Sequence, residues 1–315
     1  MSSSNPLFSV VIPTYNRAAK VVRAIESVLA QTFKDYDLWV IDDGSTDQTS
    51  QKLAPYLDRI QYRLIPNGGT ARARNHGIQQ SGGSYIAFLD SDDRWLPTKL
   101  EAFARSIQTK PESGLFYSSI EVINEAGEKL RVNRSRAVRG SAYHSLLMGN
   151  ILAASTAVVR RGCLEKIGLF DPNMSHCEDW DLWLRIARAY PITFVPGALT
   201  IFETAAAGNK TANTQAWLED HDRVIDKAFR LDPGLSPQVR QTVLAHMAVV
   251  KGRICLEAGD DRQALAWFNQ AAAERPTLLS AQVFRLLCAA PALRQVLPPI
   301  ILRRLHLTSG KGQPQ

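Results

Sequence analysis

The stretch FLDSDDRW, residues 88–95, runs from an apolar segment typical of a strand into three carboxylates, Asp90, Asp92 and Asp93. Carboxylates crowded in this way repel one another. Hard divalent cations such as Mg2+ and Mn2+ take oxygen ligands and bridge carboxylates to substrate phosphates. The sequence therefore predicts a metal and diphosphate site at the end of this strand. The alternative is a helix cap, because aspartate is favourable at a helix N-cap and in the first helical turn.

Around this stretch, between residues 8 and 125, apolar β-rich runs alternate with segments of helical period. The alternation is typical of an α/β fold in which a doubly wound, mostly parallel sheet carries helices on both faces. The predicted strands comprise residues 8–12, 38–41, 60–65, 85–89 and 114–122. The predicted helices comprise residues 18–31, 45–57, 70–80 and 95–109.

Polar residues follow the first, second and fourth predicted strands. The first strand leads into PTYNR at residues 13–17, and the second leads into DDGS at residues 42–45. Ligands of open α/β sheets bind outside the carboxyl ends of the strands. We therefore expect these two groups and the acidic stretch to share one rim of the sheet.

The chain of 315 residues has room for about two domains. We predict an α/β domain over residues 1–214 and a helical C-terminal extension over residues 215–315. Within the extension, residues 252–276 resemble one helical hairpin of the tetratricopeptide type. A solenoid needs several stacked repeats, so one hairpin is interpreted as a packing or docking appendage.

The formal net charge of +7 favours anionic partners such as sugar nucleotides, phospholipid surfaces or nucleic acid. No nucleic-acid-binding motif is recognised, so nucleic acid is not expected as a partner. The cysteines form no CxxC pair and are expected to be buried or free thiols in a reducing compartment; they are Cys163, Cys177, Cys255 and Cys288. Neither a signal peptide nor a long apolar span is recognised, so a cytoplasmic location is expected.

Two segments are strongly basic. A hairpin predicted at residues 125–127 leads into RVNRSRAVRGS, which contains Arg131, Arg134, Arg136 and Arg139 and no acid. This segment is either a solvated loop or a flap that attracts phosphates or an anionic acceptor. The tail at residues 291–307 mixes arginine with apolar residues and is either packed on the protein surface or in contact with an anionic membrane.

Five short runs carry a resemblance to a known family. They are VVIPTYNR at residues 10–17, VIDDGSTDQT at 40–49, NGGTARARNHG at 67–77, FLDSDDRW at 88–95 and CEDWDLWLR at 177–185. In this order and spacing, the chain resembles the family 2 glycosyltransferases over about residues 7–205.

The resemblance implies a GT-A fold and the inverting, single-displacement transfer of a sugar from a nucleoside diphosphate donor, with a UDP-sugar favoured. The acceptor is expected to be a hydroxyl of a saccharide or a glycolipid. The setting implied is polysaccharide or glycolipid assembly for the cell envelope, with peripheral contact at the inner face of a membrane.

Part of the donor site is expected in the first run. Pro13 and Thr14 turn the chain at the strand end, so the ring of Tyr15 can stack on a nucleobase, and Arg17 belongs to the same substrate-binding group. The alternative for Tyr15 is a partly buried aromatic residue in a turn. The resemblance favours nucleotide binding.

The second and third runs are expected to complete the donor site. A carboxylate of Asp42 or Asp43 can accept an N–H of a uracil or guanine ring, and strand alternation lets only one of them face the ligand. The alternative is that DDGSTD forms a turn and a helix N-cap. The resemblance assigns Arg74 and Asn75 to the donor site, whereas Arg72 is either a further donor or a solvated helix residue.

The last two runs are expected to supply the metal ligands and the base. Asp90-Ser91-Asp92 matches the DxD motif of the family, which places Asp90 near the ribose or the metal and makes Asp92 a ligand of Mn2+ or Mg2+. Asp93 is interpreted as an outer contact of the metal site or as a helix cap. The ED motif maps onto Glu178 in the substrate site and onto Asp179 as the base that accepts the acceptor's proton.

Two further features accompany the ED motif. Asp181 lies four residues before Arg185 on the predicted helix and is expected to pair with it. The basic or histidine-bearing stretch that many relatives carry after this helix is replaced by IFETAAAGNKTANT. The residue that supports the leaving diphosphate is therefore open, with Lys210 as a candidate.

Two rival functions remain at this point. A sugar-nucleotide pyrophosphorylase also combines an α/β sheet with carboxylate-bound metal, but it would show a GxGTR-like run after the first strand, and PTYNR has none. A non-catalytic sugar-nucleotide-binding or assembly protein would act through the helical tail. Intact DxD and ED motifs argue against it.

Overall fold

The computed structural model of this chain describes residues 5–124, 126–133, 140–203, 214–278, 280 and 282–285. Some sequence-based expectations lie outside these residues, namely those for Arg134, Arg136, Arg139, Lys210, Cys288 and the tail at residues 291–307. The chain divides into two compact units, Met1–Leu146 with Asn150–Thr204 and Leu147–Gly149 with Ala205–Gln315.

The first unit contains one sheet, which has nine strands among the described residues. The strands are β1 (Phe8–Thr14), β2 (Tyr36–Asp42), β3 (Gln61–Leu64), β4 (Tyr85–Phe88), β5 (Asp93–Trp95), β6 (Leu115–Ile123), β7 (Lys129–Asn133), β8 (Ala157–Arg160) and β9 (Ile192–Glu203). Their order is β3-β2-β1-β4-β8-β6-β9-β5, and β7 pairs with β6. Only β5, β7 and β8 run antiparallel to their neighbours in this described sheet.

Helices cover this sheet and form the second unit. The helices before residue 204 are α1 (Ala18–Leu29), α2 (Thr49–Leu53), α3 (Thr70–Gln80), α4 (Lys99–Thr109), α5 (Ala142–Leu147), α6 (Arg161–Ile167) and α7 (Glu178–Ala189). The helices of the second unit are α8 (Thr214–Leu231), α9 (Pro237–Glu257) and α10 (Asp261–Glu274). The prediction of an α/β fold with a mostly parallel sheet and a C-terminal helical region is confirmed.

One predicted helix boundary is wrong. Residues 93–95 form β5, which pairs with β9, and α4 begins only at Lys99. The residue before a proline is biased towards extended backbone, and Leu96 precedes Pro97, so the chain stays extended here. The interpretation of Asp93 as a helix cap is therefore wrong, because Asp93 lies inside a strand.

A second helix boundary also differs. The helix predicted over residues 45–57 is reduced to α2 and a 3-10 turn at Ala54–Tyr56, because the side chains of residues 42–47 hold the preceding loop. Strands β6 and β7 pair antiparallel, as expected for two strands joined by a hairpin, while residue 125 of the predicted turn lies outside the described residues.

Strand β1 lies at the centre of the core and is buried along its whole length. Parallel strands covered on both faces are expected to be apolar throughout. On one face, β1 packs with α1 and α4 around a cluster that includes Val10, Ile25 and Phe103. On the other face, a Cβ at Gly77 of α3 would lie only 2.4 Å from a methyl of Val11. Glycine at this position therefore lets α3 approach β1 closely. This close approach fixes the distance of the residues on α3 from the sheet.

The second unit has its own core. Helices α9 and α10 are joined by a turn at residues 258–260, and the ring of Phe268 stacks on Phe284 with centroids 4.9 Å apart. A Cβ at Gly252 would lie 2.5 Å from this ring, so glycine allows the close contact between the two helices. Among the described helices, none is long and apolar enough to cross a membrane. Cys163, Cys177 and Cys255 are buried, as expected.

Candidate active site

A cleft of about 400 Å³ opens at the carboxyl ends of β1, β2 and β4. It is lined by Pro13, Thr14, Tyr15, Arg17, Asp43, Thr70, Ala73, Arg74, Asp90, Ser91, Asp92 and Glu178. The cleft therefore brings together residues from all five sequence runs. Of the expected site residues, Asp42, Asn75 and Asp179 are not among those that line it.

The loop after β1 presents an aromatic ring and a hydroxyl to the cleft. Tyr15 lines the cleft and is 48% exposed, so about half of its surface is open to a ligand. Thr14 is buried, and its Oγ1 has no hydrogen-bond partner among the described residues. Buried polar atoms normally have partners, so this hydroxyl has free hydrogen-bonding capacity for a ligand in the cleft.

Asp42, the last residue of β2, and Asp43, which follows it, have different surroundings. Asp42 accepts hydrogen bonds from the backbone N–H of Ser45 at 2.8 Å and from the Tyr62 hydroxyl at 2.8 Å. Asp43 lines the cleft and accepts the N–H groups of Gly68 and Gly69 at 2.9 and 2.8 Å. Alternation along the strand thus turns Asp43, and not Asp42, towards the ligand side.

Arg74 connects the two acidic motifs. Its Nη2 donates to Asp90 at 2.6 Å and its Nη1 donates to Glu178 at 2.7 Å, while the guanidinium lies 5.3 Å from the ring centre of Phe170. Only 3% of Arg74 is exposed. Charge-assisted bonds of this length in a buried setting are strong and directional. They hold the strand end at Asp90 and the first turn of α7 at a fixed separation.

Asn75 stabilises the segment before α7. Its Nδ2 donates to the carbonyl of Phe170 at 2.8 Å, and its Oδ1 accepts the N–H of Phe170 at 3.0 Å. Both polar groups of the amide therefore contact one backbone position. Through Phe170, which packs against Phe88 and Trp183, Asn75 ties helix α3 to the loop that leads into the ED motif.

Two carboxylates of the DxD motif face the cleft. The backbone N–H of Asp90 donates to the Ser155 hydroxyl at 3.0 Å, and the carboxylate of Asp92 lies 4.0 Å from Nη2 of Arg17. Asp93 is buried in β5 and does not line the cleft.

These carboxylates can be tested against the needs of a divalent cation. Within the described ranges, no group of three or more histidine, cysteine or carboxylate side chains surrounds a common cation position. Magnesium and manganese are usually held by one or two protein carboxylates together with substrate phosphates and water. Asp92, with Asp90 beside it, fits that smaller requirement.

Asp179 is half-buried at the start of α7, where its carboxylate accepts the N–H of Trp180 at 2.7 Å and the side-chain amide of Asn150 at 3.1 Å. Burial and, secondarily, the charge of Glu178 raise the pKa of Asp179 to about 7, while Arg74 acts in the opposite direction. A carboxylate with a pKa near neutrality can accept a proton more readily than an ordinary aspartate.

Comparison with known sequences decides the family. The sequence profile described as glycosyl transferase family 2 matches residues 9–167, just over half of the chain. The chain belongs to glycosyl transferase family 2. This membership confirms the resemblance seen in the five runs and argues against a pyrophosphorylase.

Curated relatives of this family 2 glycosyltransferase include enzymes of bacteria. An uncharacterized glycosyltransferase of Rickettsia typhi is 32% identical over 195 residues, which are 60% of this chain and 61% of that protein. The chain thus spans less than two thirds of this relative. The Escherichia coli UDP-Glc:alpha-D-GlcNAc-diphosphoundecaprenol beta-1,3-glucosyltransferase WfgD is 32% identical over 212 residues, which are 65% of this chain and 81% of that protein.

Solved structures share the fold. S. aureus TarS 1-349 in complex with UDP-GlcNAc has a TM-score of 0.57 at 17% identity, covering 93% of this chain and 93% of that one. The mannosyltransferase PcManGT from Pyrobaculum calidifontis, in complex with GDP-Man and Mn2+, has a TM-score of 0.58 at 18% identity, covering 97% of this chain and 84% of that one. The family 2 glycosyltransferase described above therefore has the GT-A fold.

Sequence reasoning missed three residues that position the site of this family 2 glycosyltransferase. Asn16 has a positive φ of 50° and its Oδ1 accepts the N–H of Thr46 at 2.8 Å, which ties the PTYNR loop to the DDGST loop. An asparagine in a turn tolerates this backbone conformation, so its residue type was the available signal. Asn150 contacts Asp179 from 29 positions away, and no sequence signal marks it.

The third missed residue is Lys99. It is fully buried, and its ammonium donates to the carbonyl of Ser155 at 3.1 Å and to the hydroxyl of Thr200 at 3.0 Å. The ammonium also lies 4.9 Å from the ring centre of Trp95. Burial lowers the pKa of Lys99 well below its usual value, and the charge of Asp93 opposes this shift. Its position on the apolar face of α4, four residues before buried Phe103, was the available signal.

The pairing predicted for Asp181 is confirmed. Nη2 of Arg185 donates to Asp181 at 2.7 Å and also to the carbonyl of Leu169 at 2.7 Å. Both side chains are mostly buried. Asp181 therefore stabilises the loop before the ED motif and does not line the cleft.

Proposed function

We propose that this family 2 glycosyltransferase transfers a sugar from a UDP-sugar, with inversion at the sugar carbon, to a hydroxyl of a saccharide or glycolipid acceptor. The observation that carries the proposal is the double ion pair of Arg74 with Asp90 and Glu178, because it joins the DxD motif to the neighbour of Asp179 at one cleft. UDP as the nucleotide is supported by the UDP-Glc-dependent relative from Escherichia coli and by TarS in complex with UDP-GlcNAc.

In this proposal the nucleotide lies between the loops after β1 and β2. The exposed ring of Tyr15 stacks on the base, and Asp43 accepts an N–H of the uracil ring. The free hydroxyl of Thr14 supplies a further hydrogen bond. Pro13 and Asn16 hold the loop that carries these groups.

Asp92 and Asp90 would hold a Mn2+ or Mg2+ ion. Because Asp90 is already paired with Arg74, we assign the larger share of the ligation to Asp92. When bound, a divalent cation would neutralise part of the negative charge of the departing diphosphate. The neighbour in complex with GDP-Man and Mn2+ supports this assignment.

The proton goes to Asp179. The acceptor oxygen attacks the sugar carbon from the face opposite the diphosphate, and the bond from that carbon to the diphosphate oxygen breaks with its electron pair left on the diphosphate. Asp179 takes the proton of the attacking hydroxyl, which suits a carboxylate whose pKa is raised to about 7. One displacement inverts the carbon and requires no covalent intermediate on the enzyme.

For the acceptor, we favour a membrane-linked saccharide used in cell-envelope polysaccharide assembly, with the protein at the inner face of the membrane. The Escherichia coli relative, whose name gives a diphosphoundecaprenol-linked acceptor, supports this choice. We assign catalysis to residues 1–214 and a packing or docking role to the helical region from residue 215 onwards.

A panel of sugar nucleotides tests the proposal. Calorimetry with Mn2+ should show that the protein binds a UDP-sugar more tightly than GDP-mannose. The UDP-sugars to be compared include UDP-glucose, UDP-galactose and UDP-GlcNAc. The preferred donor is then incubated with saccharide and glycolipid acceptors, and the anomeric configuration of the product is read by NMR. Retention of configuration would contradict the single displacement, and binding of GDP-sugars alone would contradict the choice of UDP.

A further inference from the structure

The departing diphosphate gains negative charge, and the residue that stabilises this charge is not identified by the sequence motifs. Among the described residues, two arginines, Arg17 and Arg74, line the cleft. They differ in how much of their charge is available to a ligand.

Arg74 cannot serve as this residue without losing an ion pair to Asp90 or Glu178. Both of its terminal nitrogens already donate to carboxylates, at 2.6 Å to Asp90 and at 2.7 Å to Glu178. Its side chain is 4% exposed. A phosphate that displaced either carboxylate would leave a charge without its partner in a buried place, which is costly.

Arg17 has the opposite character. Its side chain is 43% exposed, and its guanidinium approaches the carboxylate of Asp92 only to 4.0 Å. An exposed pair at this distance contributes little stability, so exchanging the carboxylate for a phosphate costs little. The backbone is fixed nevertheless, because the carbonyl of Arg17 accepts the N–H groups of Lys20 and Val21 at the start of α1.

Arg17 also lies near the position expected for the diphosphate. A divalent cation lies about 2.1 Å from each of its oxygen ligands. Phosphate oxygens that share a cation with Asp92 therefore lie within about 4 Å of its carboxylate. The Nη2 atom of Arg17 lies at the same distance from that carboxylate. A guanidinium there can donate two hydrogen bonds to phosphate oxygens.

We propose that Arg17 is the cationic side chain that binds and stabilises the leaving diphosphate. The inference rests on the proposed function. As the bond between the sugar carbon and the diphosphate oxygen breaks, the electron pair stays on that oxygen, and the terminal phosphate acquires the negative charge that the sugar ester had masked. Arg17 donates hydrogen bonds to this phosphate and transfers no proton.

This role predicts a specific pattern of affinities. UDP carries the charge that develops in the reaction, whereas a UDP-sugar does not, so Arg17 should contribute more to the binding of UDP than to that of UDP-sugars. A structural role in the PTYNR loop would weaken both ligands equally. Loss of Arg17 should likewise lower kcat more than it raises the KM for the donor.

The experiment is calorimetric titration of Arg17→Gln with UDP, GDP, UDP-glucose and UDP-GlcNAc in the presence of Mn2+. Arg72→Gln is the matched control, because Arg72 is an exposed arginine on α3 that does not line the cleft. We expect UDP affinity to fall about tenfold or more, the value of a lost charged hydrogen bond, and UDP-sugar affinity to fall less. Arg17→Lys should recover part of the loss, and thermal melting checks the fold of each variant.

Two results would overturn the inference. The first is an Arg17→Gln variant that binds UDP as tightly as the wild type, and a loss of UDP affinity in Lys210→Gln would then assign the role to Lys210. The second is an equal loss for UDP and UDP-sugars, which would indicate a loop-stabilising role. A wild-type protein that binds neither UDP nor GDP would contradict the proposed function itself, and the role of Arg17 with it.

Discussion

Arg74 donates a 2.7 Å hydrogen bond to the carboxylate of Glu178, which lies 104 positions later in the chain. The other terminal nitrogen of the same guanidinium donates to Asp90 at 2.6 Å. One buried cation therefore sets the distance between the DxD motif and the ED motif. It also stabilises two of the acidic groups that crowd this end of the sheet.

Replacing Arg74 with lysine should separate the two motifs, because a single ammonium group cannot reproduce a planar fork that reaches both carboxylates. We expect Arg74→Lys to lower the free energy of unfolding by about 3 kcal/mol, the usual cost of breaking a buried ion pair. Urea denaturation measures this change. Arg72→Lys on the same helix is the control and should leave stability unchanged. Equal stability of the two variants would contradict the bridging role.

Replacing Asp179 with asparagine should separate binding from chemistry. Asparagine keeps the size and much of the hydrogen bonding of aspartate but loses its affinity for a proton. We expect UDP affinity to be retained and transfer to fall by about a hundredfold or more. Asp181→Asn is the control, and it should lower stability through its pair with Arg185 while transfer continues. If only Asp181→Asn lost transfer, the base would be Asp181 and not Asp179.

The raised pKa of Asp179 predicts a pH dependence of kcat/KM. Below pH 7 the carboxylate becomes protonated and cannot accept the acceptor's proton, so kcat/KM should rise with pH through about 7 and then level off. The contribution of Asp179 to the free energy of unfolding changes with pH in the opposite direction. The contribution of Asp179 is fully present below its ordinary pKa of 3.8 and is lost as pH rises through about 7. Initial rates between pH 5.5 and 9 test the first statement, and a flat profile would contradict it.

Replacing Asp92 with alanine should make donor binding insensitive to divalent cations. In the wild type, EDTA should weaken UDP binding, because a diphosphate placed against two carboxylates needs intervening positive charge. In Asp92→Ala, UDP affinity should be low with Mn2+ and no lower with EDTA. Calorimetry under both conditions gives the comparison, and Asp58→Ala, an exposed aspartate that does not line the cleft, controls for the loss of one negative charge. Equal affinity of the wild type with and without EDTA would refute metal use.

Replacing Lys99 with methionine should destabilise the buried region around Ser155 and Thr200. The change removes the buried ammonium whose charge interacts with the buried carboxylate of Asp93, and we expect the free energy of unfolding to fall by about 3 kcal/mol. Adding Asp93→Asn to Lys99→Met should recover part of that loss, since the negative charge that Lys99 offset is then removed. Thermal and urea unfolding of both variants measure the effect. No recovery in the double variant would show that the hydrogen bonds to Ser155 and Thr200 matter more than the charge.

The sequence was most informative where a local pattern fixes a local structure. Complete burial of β1 follows from its mostly apolar sequence, and α3 follows from the glycines and alanines of the third motif. The start of α4 was predicted wrongly, because pairing with β9 keeps residues 93–95 extended against an apparent helix signal. Non-local pairing of this kind cannot be read from a window of neighbouring residues.

By itself, the sequence determined the α/β fold, the family and the set of polar residues that end β1, β2 and β4. Those follow from the periodicity and order of short motifs along the chain. Only the tertiary structure decided which aspartate of the pair at residues 42 and 43 faces the cleft, that Arg74 is occupied by two carboxylates, and that Asn150 contacts Asp179. The physical reason is that hydrogen bonds, burial and pKa values depend on distances in space between residues that the chain keeps far apart in sequence.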